Sequence, residues 1–452
     1  MMYKDYKRPA YEWLPDIPHH WQELFIQQVS HEQKNRNTGN IESLVLSLSY
    51  GNIIRKKNVD AGLVAKDLST YQIVDKNNII LRFTDLQNDH KSLRTGLVKE
   101  RGIITSAYTC IVPTINAAYL HYVLHSYDTQ KVFYGMGGGV RQSIGYDDIR
   151  HMFVPVPPND EQDQIVRYLD WQISRINKLI HGYQREIKLL EERKLTITDI
   201  AVTKGLNPNI GYKSVDSNWT GDIPEHWDFG TIKQHFRIQK RIAGKEGYDV
   251  ISITQQGLKV KDVASNEGQI AASYANYQFV YPGEFAMNHM DLLTGYVGLS
   301  DKFGVTSPDY RVFTLEDVEN CDPQYYLYIF QLGYKRKIFY GLGKGAASKG
   351  RWRMPAINFK NFGIPIPPID EQKEIVQYID EQEKKINELI AGIEKQIASL
   401  REYRTRLISD VVTGQMDVRG IEIPDYMPEE DTEETDEDNE ETEVEPDAKS
   451  DE

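Results

Sequence analysis

Val156-Pro157-Pro158-Asn159-Asp160-Glu161-Gln162 returns as Ile366-Pro367-Pro368-Ile369-Asp370-Glu371-Gln372, 210 positions later. A second echo lies upstream of each copy. Tyr6-Lys7, Trp13, Asp16-Ile17-Pro18 and His20-Trp21 recur as Tyr212-Lys213, Trp219, Asp222-Ile223-Pro224 and His226-Trp227, 206 positions on. Four matched landmarks around two poorly matched interiors describe one unit written twice, a divergent globular part followed by a shared helical part.

The helical part follows the prolines. From Glu161 to about Val202, apolar residues fall at Ile165, Leu169, Ile176, Leu179/Ile180, Tyr183, Ile187, Leu190 and Ile197. From Glu371 to about Val412 they fall at Ile375, Ile379, Ile386, Leu389/Ile390, Ile393, Ile397, Leu400 and Leu407. Steps of three and four alternate, with Gln172 and Gln382 at matching seam positions. This is a heptad-like stripe on a helix of about 40 residues, roughly 60 Å long. Asp160 and Asp370 are the expected N-caps, just after the prolines break the preceding strand. A helix with such a stripe is not stable alone in water, and the two stripes match, so the economical solution packs them together. Pseudo-twofold symmetry favours an antiparallel pair with one globule at each end. The competing arrangement packs each helix against a separate partner protein.

The interiors are rich in Tyr, Val, Ile, Thr and Gly over short runs, which predicts strands. Glu42–Gly51, Tyr248–Ile253, Tyr71–Val74 and Tyr277–Val280 read as strands; Asn116–Tyr127 and Pro323–Leu332 read as short helices. The expected fold is α+β, two pseudo-symmetric mixed α/β globules joined by two long antiparallel coiled-coil helices. The boundaries are 1–158 for the first globule, 159–207 for the central helix, 208–368 for the second globule and 369–420 for the C-terminal helix. An acidic tail, expected to be disordered, takes 421–452.

Charge is distributed unevenly. The 452 residues carry a net charge of −14, yet from Ile421 onward 17 acidic residues face one basic residue, Lys449. Positions 1–420 therefore hold 50 acidic and 52 basic residues, so the body is close to neutral. Cys110 and Cys321, one in each copy, are too sparse for a disulfide scaffold and read as reduced, buried thiols of a cytoplasmic protein. No run of 18 apolar residues suggests a membrane span.

No catalytic constellation is found. Gly341-Leu342-Gly343-Lys344-Gly345-Ala346-Ala347-Ser348-Lys349-Gly350 lacks the GxxxxGK[ST] order of a phosphate loop, and Arg351-Trp352-Arg353-Met354-Pro355 stands where its helix would begin. His20, His226 and His289 have no cysteines or carboxylates at metal-ligand spacing, so no metal is expected. The glycine loop reads better as a clamp on a nucleic-acid backbone. Lys344, Lys349, Arg351 and Arg353 lie among its glycines, and unit one has a counterpart in Gly135–Ser143 with Arg141 and Gln142. Exposed N–H groups and long cations suit phosphate oxygens, while Arg and Gln suit base edges. Arg55-Lys56-Lys57 forms a further basic cluster. Tyr134 and Tyr340, just before the loops, read as core anchors.

The duplicated order resembles the DNA-specificity subunits of type I restriction-modification enzymes. The resemblance rests on Pro157-Pro158-x-x-Glu161-Gln162 and Pro367-Pro368-x-x-Glu371-Gln372, and on the helix ends at Leu407–Arg419 and, more loosely, Ile200–Leu206. It also rests on the Ile-Pro-x-x-Trp openings, on Pro282–Met290 and on Ser307-Pro308-Asp309-Tyr310. It covers about residues 6–420. Unit one departs inside its globule, with Ile80-Leu81-Arg82-Phe83 where unit two has Met287–Met290, and Ser106-Ala107-Tyr108 for the Ser-Pro-x-Tyr. The resemblance implies a non-catalytic subunit that binds a bipartite, asymmetric sequence in double-stranded DNA, with the helices setting the gap between halves. It implies no cofactor in this chain, two methyltransferase partners using S-adenosylmethionine, and restriction and translocase partners using ATP and Mg. The rival reading is a coiled-coil adaptor that holds proteins and reads no DNA.

Overall fold

The computed structural model describes residues 2–11, 14–56, 67–84, 93–136, 144–262, 273–345 and 352–429. Its architecture is carried by helices α1 (Ala117–Thr129), α2 (Asn159–Lys204), α3 (Pro323–Lys335) and α4 (Ile369–Val412). Strands β1 (Ser30–Gln33), β2 (Ile79–Leu81), β3 (Thr95–Leu97) and β4 (Thr109–Pro113) precede α1. Strands β5 (Phe236–Gln239), β6 (Phe285–Met287), β7 (Val297–Leu299) and β8 (Arg311–Leu315) precede α3. Two units divide the chain, residues 1–184 with 394–452, and residues 185–393, so each unit contains half of α2 and half of α4.

The units share one sheet topology. In unit 1 the order is β1-β4-β2-β3, in unit 2 it is β5-β8-β6-β7, antiparallel throughout. A second ladder pairs Gln72–Val74 with Gly102–Ile104, and its counterpart pairs Gln278–Val280 with Gly304–Thr306. One buried glutamine clamps each. Gln72 donates to the carbonyls of Thr105 and Tyr108 at 3.1 and 2.6 Å, and Gln278 to those of Ser307 and Tyr310 at 2.8 and 2.7 Å. The Ser-Pro-x-Tyr turn and its altered copy thus keep one hydrogen-bonding role. β2 and β6 end at Leu81 and Met287, so Arg82 and Phe83 correspond to Asn288 and His289, one residue from the correspondence expected above.

The Pro-Pro segments end strands Phe153–Val156 and Gly363–Ile366 and start the long helices. Helical bonding begins at the second proline, whose carbonyl accepts from Gln162 N at 2.9 Å and, in the other copy, from Gln372 N at 3.0 Å. Asp160 and Asp370, expected as N-caps, lie instead within the first turn, where a carboxylate favours the positive end of the helix dipole. At 46 and 44 residues the helices exceed the expected 40.

Within each unit the helix halves pack on one another antiparallel. In unit 1, Tyr168 OH meets Met416 Sδ at 3.6 Å, while further along α2 Asn177 accepts from Arg404 at 2.9 Å. In unit 2, Lys194 donates to Asn387 at 3.1 Å, and Gly205 approaches Glu371. Among the stripe residues, Ile165, Leu169, Ile176, Ile375, Ile379, Ile386 and Ile397 are buried; Ile187, Leu190 and Leu400 are half-buried. At the two ambiguous positions Ile180 and Ile390 are buried, whereas Leu179 and Leu389 face solvent.

The first nine residues of the segment expected to be disordered are seated along α2. Gln164 Nε2 donates to the carbonyls of Val418 and Ile421, Ser174 to that of Met427, and Asn177 to that of Glu429; Glu429 itself reaches His181 Nδ1 at 2.8 Å. Main-chain groups, to which acidity is no obstacle, make most of these bonds, and the Glu429 carboxylate adds one. The rest of the tail lies outside the described residues. Among those described, no helix is long and apolar enough to cross a membrane.

Candidate nucleic-acid interface

The landmark motifs meet in space and orient each globule on its helices. Glu161 accepts from Trp21 Nε1 at 3.1 Å, sits 2.9 Å from His20 Nε2 and accepts a short bond from Tyr3 OH. Glu371 repeats this with Trp227 at 2.9 Å and His226 at 2.8 Å. His20 and His226, which lack sequence neighbours of ligand type, therefore meet carboxylates through the fold. The adjacent glutamines hold the start of α1 and α3: Gln162 accepts from Asn116 N at 3.1 Å and Gln372 from Asp322 N at 2.8 Å. Tyr119 on α1 bonds Val412 O, and Tyr325 on α3 bonds Val202 O, so each globule also grips the end of a long helix.

The glycine loop of unit 2 starts from a 3-10 turn, Phe339–Leu342. Lys344 and Arg353 close its neck as an antiparallel bridge, with N–O distances of 2.8 and 3.2 Å. Trp352 stacks on Tyr340 with centroids 5.4 Å apart and donates Nε1–H to the Tyr340 carbonyl. A Cβ on Gly343 would lie 2.1 Å from that indole nitrogen, so the glycine there makes room for the tryptophan. Tyr340 is 40% exposed and serves as the platform of this staple, a different role from the expected core anchor. Lys344 and Arg353 are exposed, whereas Lys349 and Arg351 lie outside the described residues.

The segment Pro282–Met290 braces this neck. Met354 N donates to His289 O at 2.9 Å, Arg311 Nη2 to Met354 O at 2.9 Å, and Tyr334 OH to Asn288 O at 2.8 Å. Burial, then the positive charges of Arg311, Arg353 and Lys240, push His289 down to about 4. Burial holds Arg311 down to about 10. Lys240, Arg311 and Arg353 thus concentrate positive charge around a neutral imidazole. Sequence reading missed Lys240 and Arg311, and their convergence on His289, because the three come from separate segments.

Unit 1 builds the same brace from other residues. Ile144 N donates to Phe83 O at 3.4 Å, the equivalent of the Met354–His289 bond. Buried Arg94 donates to the carbonyls of Arg82 and Thr84 and to Tyr134 OH, with its guanidinium 5.1 Å from the Tyr134 ring centroid. Arg141 and Gln142 lie outside the described residues, as does Lys57. Arg55 is engaged bidentately by Glu100, one bond being 2.6 Å, and this acid raises its pKa. Lys56 is half-buried and its N–H bonds Val45 O at 3.0 Å. The fold therefore brings Lys344 and Arg353 together and ties Arg55 to an acid.

A duplicated α+β protein, two units of one topology that each contain part of both long helices, is the class this geometry defines. The profile of the type I restriction modification DNA specificity domain matches residues 224–399. A putative type I restriction enzyme MjaX specificity subunit of Methanocaldococcus jannaschii is 26% identical over 325 residues, 68% of this chain and 69% of that one. The MjaVIII specificity subunit of the same organism is 22% identical over 371 residues, 77% and 81% of the two chains. In fold, the chain is similar to a solved chain of a type I R-M system, with a TM-score of 0.60 at 14% identity, covering 88% of this chain and 99% of that one. Residues 224–399 thus match the type I specificity domain, and the chain is similar to type I specificity subunits over about 70% of its length.

Proposed function

We infer that this chain selects DNA without catalytic machinery of its own. Each globule, within the segments 1–158 and 208–368, reads one half of a split, asymmetric double-stranded sequence. The helical segments 159–207 and 369–420 set the unread gap and hold the subunits that act on the DNA. Two modification subunits supply S-adenosylmethionine-dependent adenine methylation; restriction and translocase subunits supply the ATP- and Mg-dependent steps. The cytoplasm is its place of action. One observation carries this reading: the two units keep the same ladder, clamp and helix-seating bonds, yet differ in the side chains around the loop necks. Such a pair is suited to presenting two specificities in equivalent frames.

Lys344, Lys349, Arg351 and Arg353 are assigned to the half-site of unit 2, and Arg55, Lys56, Lys57, Arg141 and Gln142 to that of unit 1. The lysines suit phosphate oxygens, and Arg and Gln add the ability to read base edges. Methylation mapping of DNA from cells carrying this chain with its modification subunit tests the reading. The expected result is a two-part motif with a fixed unread gap, and a variant with Lys344→Gln and Arg353→Gln that loses methylation at this motif. A contiguous motif overturns the paired-reader reading; unchanged methylation by the variant overturns the loop assignment. No DNA binding even with modification subunits present favours the protein adaptor.

A further inference from the structure

We propose that unit 2 contains a binding site for a divalent zinc-type cation, formed by His235, Asp317 and Cys321. One ligand atom from each of the three side chains lies within 4.8 Å of the others, and Cys321 Sγ is 3.9 Å from His235 Nδ1. Tetrahedral zinc with Zn–S near 2.3 Å and Zn–N near 2.0 Å sets that separation at about 3.5 Å, so this pair closes with a shift of a few tenths of an ångström, and Asp317 reaches the ion by a side-chain adjustment within the 4.8 Å span of the trio. Nitrogen, oxygen and sulfur together suit this borderline-soft cation, and three protein ligands leave one position for water.

The three groups are delivered by independent pieces of backbone. His235 ends the short helix Ile232–His235 and directly precedes β5. The pairing of Phe236 with Leu315 continues one step further through Glu316 N and His235 O at 2.8 Å, which sets His235 beside Asp317. Asp317 is oriented by Asn320, whose N–H and Nδ2–H donate to Oδ1 at 3.2 and 3.1 Å. Cys321 immediately precedes Asp322, which caps α3 and donates its N–H to Gln372. A cation here would clip the β8–α3 loop to β5 and steady the seat of α4.

The sister unit shows that the fold has no need of this polar trio. The positions equivalent to His235 and Cys321 are Val29 and Ile115, apolar side chains that pack without a ligand. Unit 2 has instead buried a thiol, 1% exposed, beside an imidazole and a carboxylate that keep partial access to solvent. Cation binding would release the thiol proton and leave Cys321 as a thiolate ligand.

The test uses the full chain, stripped with a chelator and titrated with Co²⁺, then with Zn²⁺. One equivalent of Co²⁺ should bind with tetrahedral d–d bands and a thiolate-to-cobalt charge-transfer band, and Zn²⁺ should displace it. Cys321→Ser should abolish the charge-transfer band, and both it and His235→Gln should weaken Zn²⁺ binding by more than about tenfold while retaining the parent's circular dichroism. Absence of binding by the parent chain, binding without the charge-transfer band, or Zn²⁺ affinity in the two variants equal to that of the parent would each overturn the site. Should a variant misfold, the parent decides alone: its thermal midpoint must rise with Zn²⁺ and its cobalt spectrum must show sulfur ligation.

Discussion

The two units solve one packing problem with different side chains. In unit 2, Phe285 and Phe313 stack across the β6–β8 pair at 5.0 Å and 7°, with Phe236 and Phe330 edge-on to them. The equivalent positions in unit 1 are Ile79, Ile111, Ser30 and Leu124. A ring quartet and an aliphatic cluster fill the same topology, because a core requires volume and complementary shape more than particular residues. What the units hold in common is polar and geometric: Gln72 and Gln278, Glu161 and Glu371, Gln162 and Gln372. A buried donor or acceptor left unpaired costs about 1–3 kcal/mol, so these positions tolerate little change while their apolar surroundings drift.

The largest expected effect concerns the paired glutamates. Glu161 is 4% exposed and meets three donors, whereas Glu371, with a side-chain exposure of 21%, meets two. Glu161→Ala should destabilise unit 1 by about 3 kcal/mol, and Glu371→Ala unit 2 by about 2 kcal/mol. Hydrogen exchange resolved over the two units measures both; an equal or reversed order would show that burial does not set the difference.

A smaller difference is expected at the helix ends. Gly205 and Gly414 both have a φ of 74°, the left-handed conformation that ends a helix. A Cβ on Gly414 would lie 2.3 Å from Pro18 Cδ, while at Gly205 the nearest atom is Glu371 Oε1 at 3.0 Å. Gly205→Ala should cost about 1 kcal/mol and Gly414→Ala about 2 kcal/mol or more, read as shifts in denaturant midpoint. Similar costs at both would mean that Pro18 yields freely.

The smallest effect is a difference in acid response. Burial pushes His121 down to about 4 and His125 down to about 3, with Lys99 adding to the first and His121 and Arg404 to the second. Both values lie below the solution value near 6.5, so the unfolded chain takes up the protons first. Their contribution is intact above about pH 6.5 and is lost as pH falls toward 4 and then 3. The matching positions on α3 are Leu327 and Gln331, although unit 2 carries the similarly shifted His289. Protection of α1 should therefore fall before that of α3 on acidification, and His121→Leu with His125→Gln should remove the difference. An unchanged acid midpoint in that double variant would refute this assignment.

Much of the framework was legible because its signals are local. The paired prolines at 157–158 and 367–368 stop the preceding strands, and the three-four spacing of Ile165, Leu169 and Ile176 marks a helix face before any partner is known. The loop at 341–353 was legible as a glycine-rich basic segment. The stapling of Trp352 on Tyr340 was not, since nothing in the spacing says that Gly343 makes room for an indole.

By itself, then, the order of residues determined that there are two copies of one unit, that a long helix follows each pair of prolines and that an apolar stripe runs along it. Tertiary structure alone decided that Arg55 faces Glu100, that Lys240, Arg311 and Arg353 converge on His289, and that His235 meets Asp317 and Cys321. The physical reason is range. Proline stops and heptads act within a few residues, whereas Arg55 meets Glu100 across 45 positions and His235 meets Cys321 across 86, through strand register in which a one-residue slip would turn side chains to opposite faces.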